Sequence, residues 1–137
     1  MNIFTKFYAY LHLRWAVRLA DKGYKKYNQR FYVLPGEDGN LVVSDRKNFR
    51  GLRSKHWIRG AYETDMKGVT RKSYYYTPYA NGNDPMPYTE YKVKMIAYYG
   101  WYEKSKAEHR QRKAAAKAAA KARKANAKKA KKDARRK

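Results

Sequence analysis

The stretch YTEYKVKMIAYYGWYEKSKAEHRQRKAAAKAAAKARKANAKKAKKDARRK, residues 88–137, carries the strongest pattern in the chain. Its last 25 residues, 113–137, hold twelve Lys or Arg, eleven Ala, one Asn and one Asp. Lys106, Arg110, Lys113, Lys117, Lys121, Lys124, Lys128, Lys131 and Arg135 recur at a mean spacing of about 3.6, the α-helical period. Ala and Lys are strong helix formers, and neither Gly nor Pro follows Gly100. Upstream, Tyr88, Tyr91, Met95, Tyr98 or Tyr99, and Tyr102 fall on one apolar-aromatic face, with Thr89 and Glu90 near its start. Gly100 weakens that segment by about 1 kcal/mol relative to Ala without ending it. The spacing predicts a helix from Tyr88, with 88–102 packed on a body and 103–137 a basic Lys/Ala-rich extension. Unbroken to residue 132, it spans about 67 Å. A charged chain that folds only on contact with its partner is the other reading of the extension.

The preceding segment Ala80-Asn81-Gly82-Asn83-Asp84-Pro85-Met86-Pro87 is an irregular connection, and it separates the helix from a small α+β body over 1–87. Residues 3–22 read as the first helix of that body. Phe4, Phe7, Tyr8, Leu11, Trp15 and Leu19 recur at three- and four-residue spacing, and Gly23 offers a stop. Arg14, Arg18 and Lys22 lie on a neighbouring stripe. Such a helix suits either a membrane surface or a core with solvated arginines, and the body's need for a core favours the second.

Beyond a Lys-rich link over 24–30, Phe31 to Leu34 and Leu41 to Ser44 flank Pro35-Gly36-Glu37-Asp38-Gly39-Asn40, which predicts a β-hairpin. Ser44 or Asp45 can cap a short helix over 45–54. Arg46, Lys47, Arg50 and Arg53 crowd that segment and form a second candidate phosphate-facing surface. His56-Trp57-Ile58 reads as a short extended segment, and 59–73, polar and weakly patterned, as loop.

The net charge is +23 over 137 residues. Residues 113–137 account for +11 and residues 1–112 for +12, so the body is basic in its own right. This balance calls for a polyanionic partner, nucleic acid first and an anionic membrane or acidic protein second. The absence of Cys excludes disulfides, thiol catalysis and Cys-based zinc sites. No run of 18 apolar residues exists, so no membrane span is expected. Tyr, Phe and Trp make up 16% of the chain, enough for rings to fill a core while some stack on bases.

Leu11-His12-Leu13-Arg14 through Ala16-Val17-Arg18 and Ala20-Asp21, then Arg30-Phe31-Tyr32-Val33 with Pro35, Asn48-Phe49-Arg50, Thr77-Pro78-Tyr79 and Asn81-Gly82-Asn83-Asp84 carry a resemblance. Over residues 11–84 the chain resembles short uncharacterised proteins of gut bacteria and their crAss-like phages. The resemblance implies a phage or virion context and no particular activity or site residue.

Chemistry-bearing constellations are sparse. His12, His56 and His109 share no ligand spacing, and among the acids only Glu37 and Asp38 are adjacent, within a turn. The reading is therefore a non-enzyme with no metal, cofactor or small-molecule substrate. It is expected in the cytoplasm or within a phage virion. The function it implies is nucleic-acid binding, DNA or RNA, largely independent of sequence. The nine cations of the Lys106 to Arg135 series, with Arg46, Lys47, Arg50 and Arg53, would neutralise phosphates. The alternative is a structural component of a large assembly, a virion or a ribosome, in contact with other protein subunits.

Overall fold

The computed structural model describes residues 2–49 and 66–136. The fold is α+β, with elements in the order α1 (Ile3–Tyr27), β1 (Phe31–Pro35), β2 (Leu41–Asp45), α2 (Met66–Lys72), β3 (Tyr75–Tyr76) and α3 (Tyr88–Arg136). By contact the chain divides into two compact units, Met1–Ser105 and Lys106–Lys137.

Within the first unit, β1 and β2 form the expected antiparallel hairpin, with Phe31 opposite Asp45, Val33 opposite Val43 and Pro35 opposite Leu41. Its turn uses positive φ at Asp38 and Gly39, and the Gly36 N–H closes it on the Asn40 carbonyl at 2.8 Å. β3 pairs antiparallel with the other edge of β1, giving the order β2-β1-β3. Side chains of β1 alternate between two cores, as the pleat dictates. Val33 joins a cluster with Ala9, Leu13, Ala16 and Ala20 of α1 and with Tyr98 and Tyr102 of α3. Tyr32 and Leu34 join Phe49, Val69 and Tyr76 on the opposite face.

α1 departs from expectation in two ways. Its buried positions are Ala9, Leu13, Ala16 and Ala20, while the bulkier series faces solvent. Phe4 is 73% exposed and Trp15 63%, with Phe7, Tyr8, Leu11 and Leu19 also exposed. The cause is close approach. Positions 9, 13, 16, 20 and 23 repeat at alternating steps of four and three, and all but Leu13 are Ala or Gly. Only such small side chains let the helix axis settle close against β1. The helix has two apolar faces, and the smaller one makes the core.

Gly23, expected as the stop, lies inside α1 instead. A Cβ there would sit 2.7 Å from the Phe31 ring, so the missing side chain is what makes room for that ring. The helix ends at Asn28, which adopts the left-handed conformation (φ 51°, ψ 47°) and donates its N–H to the Tyr24 carbonyl at 2.8 Å. At the other end the Asn2 side chain accepts from the Thr5 N–H at 2.7 Å.

α2 falls where a loop was expected. It has seven residues, one of them Gly68, and among those whose burial is described Val69 is its fully buried apolar side chain. Seven residues are too few for a helical period to stand out in sequence, and tertiary packing holds the helix instead. Its C-terminal end is secured from α3, where the Lys94 ammonium donates to the carbonyls of Thr70 (3.2 Å), Arg71 (2.7 Å) and Ser73 (2.6 Å). Residues 46–49 are helical, and the Asp45 carboxylate caps them by accepting from the Asn48 N–H at 2.8 Å. The rest of the helix expected over 45–54, and the extended segment expected at His56-Trp57-Ile58, lie outside the described residues.

α3 contributes to both units. Tyr98 and Tyr102 are buried, and Tyr91, Met95 and Tyr99 pack partly against the first core. Tyr88, placed on the same face by its spacing, is 68% exposed. It stands in the first turn, where its ring lies 4.9 Å from the Lys92 ammonium and, among the described residues, belongs to neither core cluster. Gly100 is helical with open space around it, so the helix passes through without a kink residue or a packing role.

Candidate nucleic-acid interface

The second unit consists of the Lys/Ala portion of α3. From Arg110 to Arg136 every residue is exposed, and Lys106 is half-buried. At about 100° per residue, Lys106, Arg110, Lys113, Lys117, Lys121, Lys124, Lys128, Lys131 and Arg135 all fall within an arc of about 80°. The row is about 43 Å long, with one cation every 5 Å or so. A single strand of duplex DNA presents one phosphate per 3.4 Å of axis, so the row carries charge at a density comparable to that of such a strand. Arg112, Arg123, Lys129 and Lys132 lie off the row and keep the other sides cationic, while Glu108 and Asp133 are the only acids after residue 105.

The helix is held locally by Ala, the best helix former, between the cations. Lys–Lys neighbours at i,i+4, such as Lys113–Lys117 and Lys117–Lys121, cost a few tenths of a kcal/mol each. Arg135 and Arg136 in the last turn recover part of this through the helix dipole. An anion laid along the row would relieve the repulsion, so folding and binding favour each other.

Of the second candidate surface, Arg46 and Lys47 are exposed on the helical residues 46–49 of the first unit. Arg50 and Arg53 lie outside the described residues. The structure thus brings together the nine cations of the helix row, while Arg46 and Lys47 belong to the other unit.

Arg30 was not legible as a special residue. It is buried at 7% exposure, with its guanidinium 3.6 Å from the Tyr79 ring centroid and 4.5 Å from that of Tyr76. It donates to the Asp84 carbonyl, which ties β1 to the connection before α3. With Lys67 and Thr70, these groups line a cleft of about 400 Å³. Stacking of this kind draws on the face of the ring, which a planar guanidinium matches. No sequence pattern marks it, because Arg30 and its partners are about 50 residues apart.

The body's tyrosines follow a consistent logic. The Tyr75 hydroxyl donates to Asp21 at 2.6 Å and the Tyr76 hydroxyl to Glu90 at 2.8 Å. Burial raises both phenols, as do their carboxylate acceptors, with Tyr76 pushed up to about 12. Burial alone raises Tyr74 to about 12. The hydroxyls of Tyr75 and Tyr76 thus serve the body's own packing, joining β3 to α1 and to α3.

The outer face of α1 is the feature sequence reasoning assigned to the wrong side. Its signal was present in the 9, 13, 16, 20, 23 series of small residues, which a search for bulky apolar side chains passes over.

Among the described residues no group of three His, Asp or Glu could hold a metal ion, and no helix is long and apolar enough to cross a membrane. Comparison of the chain with family models, curated proteins and solved structures finds no match.

Proposed function

We propose that this protein binds nucleic acid, DNA or RNA, largely without sequence readout, through the cationic row Lys106 to Arg135. One observation carries the reading: nine cations share one side of a helix that is solvent-exposed from Arg110 onward. Such a row engages phosphates and little else. Seven of the nine cations are lysines, whose ammonium groups on flexible stems contact phosphate as point charges, and Asn126 is the only amide beyond Gln111. Arg46 and Lys47 would add phosphate contacts from the first unit.

The measurement is electrophoretic binding to duplex DNA and to RNA over a salt series. Contact with six to ten phosphates makes log affinity fall with log salt at a slope of about −5 to −9 on duplex DNA. Replacing Lys117, Lys121, Lys124 and Lys128 by Gln should make that slope shallower by about 3 to 4. Absence of binding to either nucleic acid at about 50 mM salt, where phosphate contacts are strong, would end the proposal.

A further inference from the structure

The outer face of α1 offers a second surface. Phe7, Leu11 and Phe4 occupy the middle of its exposed arc and carry no polar atoms, and they fall within about 60° of one another in helical projection. Trp15 and Tyr8 lie on one margin and Tyr10 on the other, each an aromatic body with a polar tip. Farther along the same arc, two to four turns on, the apolar residues give way to exposed Arg14, Arg18 and Lys22. Phe4, Phe7 and Leu11 thus precede the cations along the axis, with Trp15 and Leu19 interleaved among the cations, and polar-tipped rings border the apolar strip.

The charges on this face choose among occupants. A second copy packed antiparallel would lay Arg14 and Arg18 on its neighbour's Phe7 and Phe4. Packed parallel, it would set cation against cation. A nucleic-acid strand would match the arginines but leave Ile3, Leu11 and Leu19, which have no ring to stack, facing bases and water. An anionic bilayer surface satisfies all three parts at once. Its acyl boundary accepts Phe4, Phe7 and Leu11, its interface accepts Tyr8, Tyr10 and Trp15, and its headgroups accept Arg14, Arg18 and Lys22. We propose that the outer face of α1 docks on an anionic lipid surface, with its first three turns at the acyl boundary and its basic end among the headgroups.

The test uses the full chain and vesicles rich in phosphatidylglycerol, with pure phosphatidylcholine as control. Co-sedimentation is read at low salt and at about 0.5 M salt, where screening confines charge attraction to a few ångströms. The cationic helix alone would release the vesicles at the higher salt. Docking through α1 should leave a fraction bound, and brominated acyl chains should quench tryptophan fluorescence by an amount that falls in Trp15→Phe. The triple variant Phe4→Ser, Phe7→Ser, Leu11→Ser should keep its circular dichroism, since all three side chains are exposed. It should retain nucleic-acid binding and lose the salt-resistant fraction by about tenfold or more. Release of wild type and triple variant at the same salt, with no quenching traced to Trp15, overturns the proposal. A self-associated wild type that becomes monomeric in the triple variant, or a loss of oligonucleotide affinity in that variant, overturns it in favour of a second copy or of a nucleic-acid strand. Failure of nucleic-acid binding alone leaves this result untouched, because the vesicle arm reads a different surface.

Discussion

The Tyr98 hydroxyl, buried in the first core, donates to the carbonyl of Ala9 at 2.9 Å and so joins α3 to α1. The Ala9 carbonyl belongs to the buried face of α1, and the ring beside it meets Tyr74, Tyr99, Trp101 and Tyr102 at centroid distances of 5.3 to 6.1 Å. Tyr98→Phe keeps the ring and removes the bond. Urea unfolding should show a loss of about 1 kcal/mol, with Tyr98→Ala losing about 3 to 5 kcal/mol as the cavity is added.

The inverted faces of α1 give a direct contrast between two side chains. Leu13→Ala should cost about 2 to 5 kcal/mol, because Leu13 is enclosed by the first core. Trp15→Ala should change stability by no more than about 0.5 kcal/mol despite the larger side chain. A chemical denaturation curve for each variant checks the pair, and the opposite order would restore the bulky face to the core.

Gly23 and Phe31 should be coupled. Gly23→Ala gains about 1 kcal/mol of helix propensity but forces a Cβ into a ring 2.7 Å away. The single substitution should therefore be destabilising. In a Phe31→Ala background it should become stabilising, since the obstacle is gone. A double-mutant cycle reads the sign change.

Alkaline pH should unfold the body as its buried phenols ionise. The unfolded phenol value is 10.0, and burial, aided for Tyr76 by Glu90, raises the folded values of Tyr74 and Tyr76 to about 12. Tyr75 and Tyr98 are raised as well, chiefly by burial. A raised acid binds its proton more tightly when folded, so its stabilisation is complete below pH 10 and fades as pH climbs toward 12. Ultraviolet absorbance of phenolate should rise together with the loss of circular dichroism. Tyr74→Phe should narrow the loss over this window.

Ala119→Pro tests whether the cationic row works as a helix. The substitution leaves every charge in place and costs about 3 kcal/mol of local helix. If the row must stay on one side, duplex affinity should fall while the salt slope changes little. An unchanged affinity would mean that charge count alone suffices.

Much of this fold can be read from local patterns. The turn at Gly36 to Asn40, the cap at Asp45 and the long Ala/Lys helix each declare themselves within a few residues. What escaped depends on neighbours distant in sequence. α2 is a seven-residue helix that buries Val69 and is secured at its end by Lys94 of α3. Arg30 becomes buried only when Tyr76 and Tyr79 close over it. The sidedness of α1 was ambiguous because two apolar series share its length, and the sheet selects the one that lets the backbones come close. The cationic row, by contrast, is almost wholly local, since helix period and charge are both properties of consecutive residues.

The contact between Lys94 and the end of α2 divides the lysines by chemical reactivity. The Lys94 ammonium is committed to three carbonyls, whereas the lysines from Lys113 to Lys132 are exposed. Amine-directed acylating reagents should therefore modify Lys113 to Lys132 quickly and Lys94 late. Labelling can map which lysines a bound polyanion shields without first dismantling the body, and late acylation of Lys94 would report that the body itself has opened.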